Sequence, residues 1–264
     1  MENIFKLCAK RLFTLRQRDA IRMVFSRIKK LLHTYLYQVR DILLSIFNAS
    51  AFIAIDEKIS IIIPTLSKGE HVDHLPKLKK LLSIYLPSQS YKNYEVLVYC
   101  DGLNEAVKDM VKSLNDNRIK IYLPENTTGK WGNQRIRMGI SGATGSPCVI
   151  LNDDYKPYKS YLQALINGFD QDTGIVYGRV IFKGEARERH FSNLKNSYVI
   201  PNDKKGDLRL TNLDMCCCMV RMSLAKRYVD FLDDSNSGDW NFIEALLKSG
   251  VKARFVDKII GDKF

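Results

Sequence analysis

Two adjacent carboxylates, Asp153 and Asp154, follow the short apolar run Pro147–Leu151. Like charges side by side at the tip of a buried strand repel each other and lose hydration unless a cation compensates them. Such a pair suits a hard divalent cation, Mn2+ or Mg2+, held by one or two carboxylates with water and the phosphate oxygens of a ligand. Taken as a bare dipeptide it suits a solvated turn with an N-cap Asp equally well. Asp101 ends the apolar run Tyr94–Cys100, and Asp239 stands beside an aromatic in Gly238-Asp-Trp-Asn-Phe242. His71-Val-Asp-His74 has a metal-like spacing, but in a polar turn ahead of a helix it reads as solvated or capping. The six cysteines, Cys8, Cys100, Cys148 and the run Cys216-Cys217-Cys218, show no CxxC spacing. They read as small buried hydrophobes, as expected in a reducing compartment.

The elements that must position these groups follow from periodicity. Ile59-Ser-Ile-Ile-Ile-Pro64, Tyr94–Cys100, Ile119–Leu123 and Pro147–Leu151 are short runs rich in β-branched and aromatic residues, each ended by Pro, Asp or Asn. Between them, His74–Leu86, Ala106–Leu114 and Asn133–Ser141 read as helices. This alternation predicts an α/β fold with a mostly parallel sheet and ligand chemistry at the carboxyl ends of the strands. Pro64-Thr65, Asp101 and Asp153-Asp154 all fall at such ends. Further along, Gly174–Phe182 and Leu213–Val220 read as strands, Ile243–Lys248 as the continuation of a helix from the Asp239 segment, and Phe255-Val256 as a short final strand. No GxGxxG or GxxxxGK[ST] pattern follows the first strand, which argues against dinucleotide redox chemistry and P-loop phosphoryl transfer.

The charge is unevenly spread. The chain of 264 residues carries 41 Lys and Arg against 29 Asp and Glu, a net +12. Residues 1–50 hold ten basic and three acidic groups, or +7, leaving +5 for the remaining 214 residues. In that N-terminal part Ile21, Val24, Ile28, Leu31, Tyr35, Val39, Ile42 and Ile46 recur at helical spacing, with arginines and lysines between them. The most apolar stretch, Ile42–Ile55, is interrupted by Ser45, Asn48 and Ser50 and is shorter than the about twenty residues of a membrane span. Residues 1–57 are therefore expected to form a basic amphipathic helical extension. It either lies in a membrane interface or packs on a protein surface, ahead of a domain over residues 58–264. Aromatic and basic residues do not interleave on a strand platform, so nucleic acid is not an expected partner.

The order of the pieces resembles that of glycosyltransferases of the GT-A type, close to family two, which uses nucleotide-diphosphate sugars. Ile61-Ile-Ile-Pro-Thr65 is similar to the opening strand of that family. Leu82-Ser83 with Gln89-Ser-Tyr-Lys-Asn-Tyr-Glu-Val-Leu-Val-Tyr-Cys-Asp-Gly102 is similar to its second segment. Gly132-Asn-Gln-Arg-Ile-Arg-Met-Gly139, Ala143-Thr-Gly145 and Leu151-Asn-Asp-Asp154 resemble its core, and Gly238-Asp-Trp-Asn-Phe242 the segment that supplies a base. The resemblance runs from about Ile59 to Gly261 and leaves out the basic N-terminus.

What it implies is specific. Pro64, Thr65 and Asp101 would line the pocket for base and ribose, and Arg135, with Lys130, would approach the diphosphate or position the loop beside it. Asn152-Asp153-Asp154 occupies the DXD position, Asp154 touching the metal and Asp153 the ribose or a metal-bound water. Asp239 matches the catalytic base of an inverting transferase, and Trp240 would wall the acceptor sugar. The implied partners are a nucleotide-diphosphate-sugar donor and a glycan, polysaccharide or lipid-linked acceptor; the cysteines and the basic N-terminal segment, separately, lead to the expectation of a cytoplasmic protein or one peripheral on the cytoplasmic membrane face. Three departures stand out: Asn152 replaces the usual first Asp, Cys100 precedes Asp101 where a second Asp is usual, and Gly238 stands where Glu often precedes the base. A catalytically silent nucleotide-sugar-binding or scaffold protein is the alternative they raise.

Overall fold

The structure, a computed structural model, describes residues 57–66, 74–127, 132–184, 186, 188, 198–201, 214–235 and 237–264. They belong to one of the chain's two units, residues 55–264. The expected N-terminal extension and Lys130 lie outside the described residues.

The centre of the unit is a parallel layer. β1 (Ile59–Leu66) pairs on one side with β2 (Tyr94–Asp101) and on the other with β4 (Cys148–Ile150), while β3 (Ile119–Tyr122) extends β2; all three pairings are parallel. Ile59, Ile61, Ile62 and Ile63 are fully buried, as the β-branched run predicts for a strand covered on both faces. α1 (His74–Lys80, continued by a π-helical turn through Tyr85), α2 (Glu105–Leu114) and α3 (Asn133–Gly142) make the crossovers. The Asn104 side chain caps α2 by accepting from the Val107 N–H at 3.1 Å, and Asn115, at φ +49°, ends it in a left-handed turn. α3 lies close on β1 because Gly139 has no side chain: a Cβ there would stand 2.4 Å from Ile62 Cγ2.

The second half departs from simple winding. β5 (Tyr155–Pro157), α4 (Tyr161–Ile166), β6 (Thr173–Phe182), β7 (Tyr198–Ile200), β8 (Cys218–Val220), α5 (Met222–Tyr228), α6 (Gly238–Lys248) and β9 (Lys252–Lys263) complete the unit. Strand order is β3-β2-β1-β4-β8-β6-β9-β5, with β7 on β6. β8 runs antiparallel between β4 and β6. β6 and β9 are parallel to each other and share eight register pairs, and by this alternation both point the same way as β4. The sheet is therefore mostly parallel, as expected.

Two expectations change. Leu213–Val220 is a strand only from Cys218, since Met215–Cys217 forms a 3-10 turn capped by Asp214. The final strand is twelve residues long rather than a stub at Phe255-Val256, because β6 supplies a full-length partner. All five described cysteines are free and buried, consistent with packing.

Candidate active site

The parallel register levels the carboxyl ends of the first strands. Thr65 lies opposite Cys100 and Leu66 opposite Asp101, so the β1 and β2 ends form one shelf. α3 begins beside it: Gly132, at φ +78°, precedes the helix, and a Cβ on it would meet Pro64 Cβ at 3.3 Å. From the first turn of α3, the Arg135 guanidinium donates to Asp101 Oδ1 through Nη2 at 3.0 Å and Nε at 3.3 Å. It also donates to the Asn126 carbonyl. Both side chains are buried. Arg135 thus neutralises Asp101 and fixes its orientation.

The end of β4 carries the acidic pair. Asp153 is buried, and its Oδ2 lies 2.6 Å from Nδ1 of His74 at the start of α1. That hydrogen bond, with the negative field of Asp153 and Asp154, raises the His74 pKa against the opposing effects of burial and Lys77. The reading of His74 as solvated therefore fails: the first helix delivers it to the tip of the fourth strand. Asp154 is half-buried, and its carbonyl accepts from the Phe264 N–H at 3.0 Å. Tyr155 pairs with Lys263 across β5 and β9, so the last strand staples the acidic turn.

Asp239 lies in the first turn of α6, with Trp240 half-buried beside it. Gly238 has a steric reason to replace a larger residue. A Cβ there would come within 2.4 Å of the Asp233 carbonyl and 2.5 Å of Asn133 Nδ2, which itself donates to that carbonyl. The small residue lets the start of α6 sit against the start of α3. Asp239 is pushed up to about 6, by burial first and then by the charge of Asp214, with Lys263 pulling the other way.

Asp214 and Lys263 are the residues sequence reasoning missed. Lys263 Nζ is 2.5 Å from Asp214 Oδ2, and both side chains are buried. Asp214 Oδ1 accepts from the Cys216 N–H at 3.0 Å. Burial lowers the Lys263 pKa, but Asp214 and Asp154 outweigh it and raise the net value. Burial likewise raises the Asp214 pKa and is outweighed by Lys263 and the Cys216 donors, so the carboxyl ends below its ordinary value. The only signal in the sequence was an Asp opening an apolar run; nothing marked Lys263, since its partner is 49 residues away.

The donor set fits a divalent cation only in company. Among the described residues no group of three or more His, Cys, Asp or Glu stands together to hold a metal. Asp154, half-buried in the turn between β4 and β5, is a hard ligand, which matches Mg2+ or Mn2+ held by a carboxylate, phosphate oxygens and water rather than by a protein cage.

Comparison with known proteins adds to this geometry. No curated protein sequence matches the chain. Among solved structures, S. aureus TarS superimposes with a TM-score of 0.56 at 15% identity, covering 78% of this chain and 36% of that one. TarS 1–349 in complex with UDP-GlcNAc gives 0.58 at 16%, covering 78% and 58%. The mannosyltransferase PcManGT from Pyrobaculum calidifontis, in complex with GDP-Man and Mn2+, gives 0.57 at 16%, covering 78% and 56%. The chain therefore spans between about a third and three fifths of the length of these structures, and at such identities the likeness shows the GT-A fold. The model of glycosyl transferase family 2 matches residues 60–229, well over half of the chain and the stretch that builds the shelf, the acidic turn and Asp214; the chain belongs to that family.

Proposed function

We propose that the chain is an inverting, metal-dependent glycosyltransferase that moves a sugar from a nucleotide-diphosphate donor to a hydroxyl group of a glycan, polysaccharide or lipid-linked acceptor. The observation that supports this reading is a set of carboxylates with distinct environments, three of them at the carboxyl ends of the parallel strands and the fourth at the start of α6. Asp101 is neutralised by Arg135, Asp153 is bonded to His74, Asp154 stands in the turn after β4, and Asp239 is half-buried in the first turn of α6. The nucleotide sugars bound by PcManGT and TarS 1–349 support a donor of this class.

In this reading Pro64, Thr65 and Asp101 receive the base and ribose, and Asp101, fixed by Arg135, accepts a hydrogen bond from a base N–H. Arg135 acts through Asp101, and Lys130 approaches the diphosphate. Asp154, supported by Asp153, would hold Mn2+ or Mg2+; when bound, the cation neutralises charge on the departing diphosphate. Asp239 takes the proton of the acceptor hydroxyl as its oxygen bonds to the anomeric carbon. The bond from that carbon to the β-phosphate oxygen breaks, the nucleoside diphosphate leaves with the electron pair, and the anomeric configuration inverts. Trp240 offers the acceptor sugar an apolar face. Residues 1–57 would hold the enzyme on an anionic cytoplasmic membrane face, through basic groups beside an apolar stripe.

Turnover of a panel of nucleotide sugars, measured after EDTA treatment and again with Mn2+, tests the enzyme reading. Activity should fall at least tenfold without metal and return with it, and both Asp154→Ala and Asp239→Ala should abolish it. Unchanged turnover in both variants would overturn the assignment. Nucleotide binding without turnover would favour a silent binding protein. Flotation of the full chain with phosphatidylserine vesicles, but not with phosphatidylcholine vesicles, tests the membrane contact.

A further inference from the structure

α3 carries two sets of contacts that leave it in different directions. Asn133 and Arg137 stand one helical turn apart and share a face. Both donate to the main chain of the segment that leads into α6. The Asn133 amide donates to the Asp233 carbonyl at 2.5 Å and lies 3.5 Å from that of Ser235. The Arg137 guanidinium donates to the Leu232 carbonyl and pairs with Asp234 at 3.2 Å. Arg135, between them in the chain, turns instead to Asp101 on the shelf formed by β1 and β2.

The segment is also tied to α6 itself. Asp233 accepts through Oδ1 from the Ser235 N–H and through Oδ2 from the Asn241 amide, at 2.9 Å each, and the Gly238 N–H donates to the Ser235 carbonyl at 3.2 Å. A Cβ at Gly238 would collide with both the Asp233 carbonyl and Asn133 Nδ2, so the bond between these two groups passes directly beside the residue that precedes Asp239. Asn133 is buried, and taking its amide away leaves the Asp233 carbonyl without that donor.

We infer that Asn133 and Arg137 are positioning residues for the transfer step: acting through residues 232–235, they fix the start of α6, and with it Asp239, relative to the shelf on which Arg135 holds Asp101. The inference rests on Asp239 serving as the base. A base must come within hydrogen-bond reach of the acceptor hydroxyl, and a misplacement of about 1 Å can cost about 10²-fold in rate. Donor binding is assigned to Pro64, Thr65, Asp101 and Arg135, which substitutions at 133 and 137 leave in place. Turnover and donor binding should therefore separate.

The experiment compares Asn133→Ala, Arg137→Gln and Arg137→Lys in the full chain. The first two should each lower kcat by about 10- to 10²-fold, while donor KM and the calorimetric affinity for UDP and GDP stay within about threefold of wild type. Arg137→Lys should restore most of the lost rate, since an ammonium can still donate to a carbonyl and pair with Asp234. Hydrogen exchange reads the same contact without turnover: residues 232–241 should exchange about tenfold faster in Asn133→Ala and Arg137→Gln, with the β1 and β2 amides as protected as in wild type. Arg137 is half-buried, so Arg137→Gln decides alone if Asn133→Ala does not fold. Faster exchange confined to residues 232–241 upholds the inference even if the wild type turns over no donor, which would count against the proposed function alone. Unchanged exchange in that segment, an unchanged kcat, or a donor KM that rises in step with the fall in kcat overturns it.

Discussion

Asp239→Asn should remove activity and stabilise the fold at neutral pH. The carboxyl group has its pKa raised from 3.8 to about 6. Its folded state therefore binds protons more tightly than the unfolded chain does. Stability from this group is fully present below pH 3.8, declines as pH rises through 6, and is lost above it. A displacement of about 2 units at 1.36 kcal/mol each sets a ceiling of roughly 3 kcal/mol for the penalty at pH 7.5. The true figure is smaller, because Asp239 is only half-buried and water relaxes the local field. Asparagine keeps the shape and carries no charge, so its melting temperature should exceed that of the wild type at pH 7.5 by several degrees, at roughly 2–4 °C per kcal/mol. The advantage should vanish near pH 4, where the wild-type side chain is protonated when folded. Transfer should fall by about 10²- to 10⁴-fold, the usual contribution of a general base. Scanning calorimetry at five pH values, beside turnover of the identified donor, supplies both numbers. A difference in melting temperature that does not vary with pH would refute the desolvation argument, and a loss of activity below tenfold would refute the role as base.

Other perturbations probe the scaffold. Glu95 is buried on β2 and accepts from the Ser60 hydroxyl at 2.8 Å, from the Thr144 N–H and hydroxyl at 2.8 Å each, and from the Gly145 N–H at 3.1 Å. Burial raises its pKa, but these donors and Lys120 outweigh it and bring it to about 2. Glu95→Gln should cost about 1–3 kcal/mol at pH 7 by urea denaturation, and the difference should shrink as pH falls from about 4.5 through 2. Arg135→Ala leaves Asp101 buried without its cation and should cost about 3–5 kcal/mol, with nucleotide diphosphate affinity falling in calorimetry even where the variant is folded. Gly139→Ala drives a methyl group into Ile62 and should cost about 1–3 kcal/mol in thermal melts, weakening the seating of the helix that carries Arg135.

Local chemistry is why much of the first half was legible. The isoleucines of β1 and the fully buried run of β2 encode strands by composition alone, although β1 runs through Pro64 to Leu66 rather than stopping at the proline. Parallel winding then puts Thr65, Asp101 and Asp153 at one edge without further information. The second half was less legible because its strands depend on partners. β5 and β8 have three residues each, too few for a periodic signal, and β9 is long only because β6 runs beside it. The Gly238 departure looked like a weakened motif, yet it is the contact that brings α6 against α3.

The sequence by itself determined which carboxylates stand at strand ends and which family they follow, since those are properties of neighbours along the chain. Only the tertiary structure decided how each carboxylate is compensated. Arg135 reaches Asp101 across 34 residues, His74 reaches Asp153 across 79, and Lys263 reaches Asp214 across 49. The charge on a buried group depends on what lies within a few ångströms of it, and chain separation carries no record of that distance.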